Sequence, residues 1–255
     1  MTSRERVLRA LNHQEPDRVP IDLGATPTST ISLGALENLR SYLGFHSETK
    51  LMSPVFMTAY PGDDVIERFG VDVRMITAKP PSGFRIQPNV EGRITDEWGI
   101  VYQKDETAQT HFIVESEAPL RKVTSTREVD RYPWPDPEDP SRVRGLREIA
   151  RSYRDKGFAV VANTSLLVMT QAQWMRGLEQ YLVDTVLNPI LLEHLMDKIL
   201  EILMEMARRL LAEVRDLVDV VLMGDDLSHQ GGLTYSPEMY RKLLKPRHSR
   251  IVDFL

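Results

Sequence analysis

The 255-residue sequence contains no cysteine, which excludes disulfides, thiolate metal centres and a thiol nucleophile within these residues. No stretch approaches the roughly 20 apolar residues that span a bilayer. The opening Met1-Thr2-Ser3-Arg4-Glu5-Arg6 leads into an amphipathic segment without the apolar core of a secretory signal. Excess positive charge is missing as well: 32 Lys and Arg against 37 Asp and Glu give a net charge of −5, with no pull toward nucleic acid or an anionic membrane. There is no solenoid-period repeat and no low-complexity tract. What is present is globular material, 42% hydrophobic and 27% charged, enough for a sizeable core. The expectation is a cytoplasmic protein that meets a small molecule, not nucleic acid or membrane.

Thr2 or Ser3 can cap a first helix carrying Val7, Leu8 and Leu11 on one face. Pro16 stops it, and Arg18 to Asp22 reads as a short strand ending on a carboxylate. Leu33, Leu36, Leu39 and Leu43 recur at helical spacing and predict a second helix from Ser32 to a stop at Gly44. A third runs from an Asp63 cap to Phe69; Gly70 ends it, and Val71 to Ile76 is the second strand. From about Pro80 to Val123 the pattern changes. Phe84-Arg85-Ile86-Gln87, Arg93-Ile94-Thr95, Val101-Tyr102-Gln103 and Phe112-Ile113-Val114 are short alternating runs between turn residues, the signature of antiparallel hairpins. This stretch reads as an insertion with its own small sheet, anchored by Trp98.

The proline-dense Tyr132 to Pro140 is neither helix nor central strand and is predicted to be a stiff surface connector. A helix follows from about Ser141 to Lys156, and Phe158 to Asn163, apolar on both faces, is a third, buried parallel strand. Asn188-Pro189 opens a long amphipathic helix through Val214. Asp219 to Met223 is the fourth strand, and Ser236-Pro237 opens a last helix whose basic residues Arg241, Lys242, Lys245, Arg247 and Arg250 read as its wet side.

Strands alternating with helices predict a parallel α/β sheet with right-handed crossovers. The apolar pattern is still running at Ile251-Val252-Asp253-Phe254-Leu255, and four strands are half of what a closed (β/α)8 barrel needs. A half-barrel exposes more apolar surface than a monomer tolerates. The expectation is one incomplete TIM-barrel domain over residues 1–255, cut short, with an obligate homo-oligomer or a complete four-stranded open sheet as the alternatives.

Three segments carry a family resemblance. Arg4-Glu5-Arg6-Val7-Leu8-Arg9-Ala10-Leu11-Asn12-His13 with Pro16-Asp17-Arg18-Val19-Pro20, then Leu167-Val168-Met169-Thr170 before a helix, then Gly224-Asp225-Asp226-Leu227-Ser228-His229-Gln230-Gly231-Gly232 leading into Ser236-Pro237-Glu238-Met239-Tyr240 resemble the uroporphyrinogen decarboxylase superfamily. That resemblance implies a TIM barrel and either tetrapyrrole decarboxylation or corrinoid-dependent methyl transfer. It is closer to the methyltransferase-like branch. Leu23-Gly24-Ala25-Thr26-Pro27-Thr28 holds no arginine where decarboxylases carry an arginine-rich loop, Lys79 stands about where their catalytic aspartate sits, and Gln171 replaces a tyrosine. A polycarboxylate substrate needs clustered cations and a placed acid; methyl transfer needs the leaving heteroatom protonated or held by a Lewis acid. The branch implies a small methylated substrate, a corrinoid carried by a partner protein, and zinc held by His and Cys of a barrel half this chain lacks. An inactive half-barrel or a pairing module is the non-catalytic alternative.

TIM-barrel chemistry sits where strands end. Asp22, Asn163 and the pair Asp225-Asp226 follow strand candidates directly. Two adjacent carboxylates supply a general acid and an orienting group, their repulsion raising one pKa, so Asp225 and Asp226 are the catalytic candidates. Asp22, Asn163, Gln171, Gln230 and His229 are the substrate-binding candidates, and no metal ligand set is read from the chain itself.

Overall fold

The computed structural model describes residues 1–105 and 110–255. Helix α1 (Ser3–Leu11) opens on a capping box in which the Thr2 hydroxyl accepts from Glu5 N and the Glu5 carboxylate accepts from Thr2 N, satisfying amides that the first turn leaves free. Strand β1 (Ile31–Ser32) leads into α2 (Leu33–Leu43), which stops at a left-handed Gly44 as its spacing predicts. Strands β2 (Lys50–Ser53) and β3 (Thr58–Tyr60) join β1 in a small antiparallel sheet ahead of α3 (Gly62–Phe69). Strand β4 (Val73–Thr77) then opens the main sheet.

The insertion has the expected antiparallel core in β5 (Arg93–Thr95), β6 (Val101–Asp105) and β7 (Thr110–Ile113). Phe84 to Gln87 is a correction: it forms no strand, Phe84 and Ile86 are partly buried, and Pro88 interrupts any ladder. Trp98 is buried and meets Trp134 edge-on at 6.2 Å, and the Tyr132 hydroxyl donates to Trp98 O. Gly99 makes this approach possible, because a Cβ there would lie 2.2 Å from the Tyr132 hydroxyl. The proline-rich connector is therefore pinned to the insertion by its rings instead of merely crossing the surface.

Helix α4 (Thr126–Asp130) precedes the connector and α5 (Leu146–Asp155) follows it. The expected start of α5 at Ser141 is corrected: Pro140–Arg142 is one 3-10 turn, and left-handed Gly145 separates it from the helix. Strand β8 (Ala159–Asn163) leads to α6 (Val168–Arg176), α7 (Leu178–Leu187) and the long α8 (Pro189–Val214). Strand β9 (Val220–Leu222) is followed by the hairpin β10 (Ser228–His229) and β11 (Gly232–Leu233), then α9 (Pro237–Met239), a π-helical turn Tyr240–Leu244, and α10 (Lys245–Phe254). No helix among the described residues is long and apolar enough to cross a membrane.

The main sheet is parallel in the order β4-β8-β9, with Thr77, Asn163 and Leu222 level at its exit end. Four parallel strands were expected; Arg18 to Asp22 does not join the ladder. Its one backbone bond runs from Asp72 N to Ile21 O at 2.8 Å, while Ile21 N is taken by the Asp72 carboxylate and Pro20 has no N–H to give. The fold is mixed α/β, without a closed barrel among the described residues. Ile76 and Val160 face α5 and the end of α8 through Leu146, Ala150, Leu210 and Val214. Val73, Ala159 and Val161 face Val7 of α1 and Ile66 of α3, the alternation expected of strands. Helix α8, 26 residues long, spans about 39 Å at the helical rise. Its second half backs the sheet; its first half packs with α6, α7 and the insertion in the largest apolar cluster.

At the entry end, two buried carboxylates stand directly before strands. The Asp72 carboxylate accepts from Arg6 at 2.6 Å, from Arg18 at 2.8 and 3.0 Å, and from Ile21 N. The Asp219 carboxylate accepts from Arg4 at 2.9 Å and from Val160 N at 3.1 Å. Arg6 also grips Asp17, whose carboxyl that bond holds down to about 2. Burial pushes the Asp72 carboxyl up, but the donors from Ile21, Arg18 and Arg6 outweigh it and hold it below the usual carboxylate range. A carboxyl depressed in the folded chain adds stability above its unfolded pKa, and this is lost as pH falls through the folded value. Replacing Asp72 by Asn is expected to cost about 3 kcal/mol in urea unfolding at neutral pH, because Arg6 loses its buried partner. The same variant should lose less further stability on acidification than the parent does.

Candidate active site at the exit end of the sheet

Asp225 follows β9 by three residues and turns back over the start of α6. Its carboxylate, 1% exposed, accepts from Met169 N at 2.9 Å and Thr170 N at 2.8 Å. Helix α6 has no cap of its own, since Leu167 precedes it. A carboxylate from 55 residues away thus satisfies the free amides and meets the positive end of the helix. Thr170 secures the next residue too, its hydroxyl accepting from Asp226 N at 3.3 Å.

The second partner of Asp225 is His248 of α10, whose Nε2 lies 3.0 Å from Asp225 Oδ2. A carboxylate only accepts, so Nε2 carries the hydrogen, and in the neutral imidazole Nδ1 is left as an acceptor. It faces the Tyr240 hydroxyl at 3.4 Å. The π-helical turn at Tyr240–Leu244 and the proline at position 246 set the phasing that brings these two side chains together. Beside them the Gln173 amide donates to the Tyr235 hydroxyl at 3.2 Å, and burial pushes the Tyr235 phenol up. The result is a chain of carboxylate, imidazole and phenol fixed at one end by backbone amides. It can hold a proton at Nδ1 or at the phenol and keep it aimed.

The structure brings some of the sequence-predicted residues together. Asn163 ends β8 and is 8% exposed, its side-chain oxygen accepting from Ser165 N. Gln171 lies in the first turn of α6, 7% exposed, and its amide nitrogen has no hydrogen-bond partner. Asp226 is exposed next to Asp225. The others stand apart. Asp22 is exposed, its carboxylate accepts from Ala25 N, and its neighbour Ile21 lies beside Asp72 at the entry end. His229 accepts from Gly231 N and so braces the tip of its own exposed hairpin, where Gln230 also sits. Lys79 donates to Arg144 O. Among the basic residues assigned to the wet side of the last helix, Arg247 is the exception: it is buried and donates to Leu243 O, Glu193 O and Asp197.

His248, Tyr240, Tyr235 and Gln173 escaped the sequence reading. His248 sits among arginines and lysines that mark a solvated helix face, and no local spacing distinguishes it from them. Among the described residues no group of three His, Asp or Glu could hold a metal ion. A hollow of about 500 Å³ lies against α3 and β4, lined by Arg40, Tyr60, Arg74 and Tyr153 among others, and shares no residue with the Asp225 chain.

Replacing Asp225 by Ala is expected to cost about 3 kcal/mol, because two buried amides and an imidazole lose their acceptor together. Hydrogen exchange should speed up first at Met169 and Thr170; unchanged protection there would show that Asp225 does not cap α6.

No protein-family model matches this chain, and no curated protein matches it. Among solved structures it is similar to a methyltransferase from Methanosarcina mazei, with a TM-score of 0.53 and 15% sequence identity. The likeness covers 99% of this chain and 67% of that one, so the chain spans about two thirds of its neighbour's length. At this identity the likeness is one of fold.

Proposed function

We propose that this chain is part of a TIM-barrel enzyme of the uroporphyrinogen decarboxylase superfamily, in its methyltransferase-like branch. It moves a methyl group from a small methylated compound to a corrinoid carried by a partner protein. The observation that carries the reading is the Asp225–His248–Tyr240 chain at the exit end of a parallel sheet, where TIM barrels place their chemistry. The fold likeness to the Methanosarcina methyltransferase supports it.

The chemistry follows from what methyl transfer requires. The heteroatom that loses its methyl group must gain a proton, since an alkoxide, phenoxide or amide leaves poorly. Asp225 fixes the His248 ring and its tautomer, and His248 presents Nδ1 to Tyr240, so a proton held on the ring has a hydroxyl through which to leave. Asn163 ends β8 at the same end of the sheet, and Gln171 lies in the first turn of the helix that Asp225 caps. These residues do not fit a zinc centre, and no step here runs through one. Decarboxylation of a tetrapyrrole is less well supported. The buried arginines Arg142, Arg176 and Arg247 are already engaged with Glu97, Asp184 and Asp197, and so are not free to hold a polycarboxylate.

Incubating the protein with methylated alcohols, phenols and amines and reduced cobalamin, and following methylcobalamin by its absorbance, tests this reading. Tyr240→Phe and His248→Gln are each expected to lower kcat by about a hundredfold. Formation of coproporphyrinogen from uroporphyrinogen by the unmodified protein would replace this function with the decarboxylase one.

A further inference from the structure

The hollow of about 500 Å³ against α3 and β4 holds Arg74, a buried arginine without a close carboxylate. We propose that this hollow binds a small monocarboxylate with an apolar body, and that the Arg74 guanidinium holds the carboxylate. The site is separate from the Asp225 chain and does not depend on the reaction assigned to that chain.

The first argument compares the buried arginines. Arg6, Arg40, Arg142, Arg176 and Arg247 are buried like Arg74, and each meets a carboxylate at 3.2 Å or closer: Asp72, Asp64, Glu97, Asp184 and Asp197. The carboxylate nearest to Arg74 is Asp63, 3.5 Å away and itself 72% exposed. Arg74 also donates to Val73 O at 3.3 Å. A guanidinium has five N–H bonds; beyond these two long contacts, those of Arg74 find no acceptor among the described residues. A charge taken out of water needs a partner. Burial holds the Arg74 pKa below its usual value despite Asp63.

The second argument is placement. The guanidinium carbon stands 3.7 Å from the centre of the Phe158 ring, which occupies a face of the group and leaves its edge, where the N–H bonds lie, for a planar acceptor. The two groups on its other sides, Asp63 and Tyr153, line the hollow as Arg74 does. The charged end therefore borders the space. Tyr60 and Tyr153 add hydroxyls that bond to no described residue, and burial pushes both phenols up, so they stay protonated and can donate.

Charge and lining select the ligand. Arg40 and Asp64 pair with each other at 3.2 Å, and the exposed Lys50 and Glu48 are opposite in sign. What remains is one buried cation beside one wet carboxylate, which suits a single negative charge. The second charge of a phosphate dianion would be repelled by Asp63 and Asp64. Leu23, Ile66 and Met75 lie in the same wall and give an apolar body a place out of water. The volume is that of a small-molecule site.

Fluorine NMR titrations of the full chain with 4-fluorobenzoate and its neutral counterpart 4-fluorobenzyl alcohol test the site. The benzoate is expected to bind saturably and about tenfold more tightly than the alcohol, as hydrogen bonds to a charged group allow. Asp63→Asn removes the carboxylate that competes for Arg74 and should tighten benzoate binding about threefold, the scale of an exposed ion pair. Arg74→Met should erase the preference for benzoate over the alcohol. Because Asp63 is 72% exposed, Asp63→Asn reads the site even where Arg74→Met does not fold. Equal binding of the two probes, benzoate binding left unchanged or weakened by Asp63→Asn, a preference that survives Arg74→Met, or displacement of benzoate by inorganic phosphate at matched ionic strength would each overturn the proposal.

Discussion

Arg4 and Arg6 of one short helix reach two carboxylates, Asp219 and Asp72, that stand one residue ahead of β9 and β4. These contacts hold the first helix, the unpaired segment at residues 18–22 and two strands of the main sheet at a common level. Arg18 adds a second grip on Asp72, and both carboxylates are closed off by backbone amides of neighbouring strands or segments. Buried ion pairs bring little net stability compared with apolar packing, but breaking one leaves a charge stranded. Their contribution here is register: a slipped strand would carry its carboxylate away from the arginines.

The exit end repeats the device with different partners. Asp225 stands just beyond a strand, where the entry-end carboxylates stand just before theirs, and like them it collects donors from elements distant in sequence, here the amides of α6 and the imidazole of α10. The entry-end carboxylates are matched by permanent cations, which fixes them as structure. Asp225 is matched by two amides and an imidazole with a second nitrogen to give or accept a hydrogen, which leaves this end able to handle a proton. The two ends of one sheet thus divide support from chemistry by the kind of donor each carboxylate receives.

The length mismatch between sheet and helix shapes the rest. Because α8 outruns the strands it backs, its first half needs another surface to bury. The insertion, α6 and α7 supply one through Trp98, Tyr102, Met169, Met175 and Tyr181. This places α6 over the exit end with its start facing Asp225, so the largest apolar cluster is also what positions the polar chain.

Much of this was legible in the residues. Gly44 and Gly70 end helices where their spacing says, the apolar run Ala159 to Asn163 is the central strand, and Asn188-Pro189 does begin the longest helix. Asn163 ends β8, and the Asp225-Asp226 pair follows β9 closely, positions that the strand pattern already implies. These are properties of backbone preference and hydrophobic period, which act over a few residues and are written where they act. Whether residues 18–22 enter the ladder, that Asp225 caps a helix, and that His248 leaves its basic neighbours to meet it depend on partners 23 to 56 residues away or more. Such meetings are set by how apolar faces pack. A local pattern specifies which face is apolar; only the folded chain decides which polar atoms that packing leaves opposite one another.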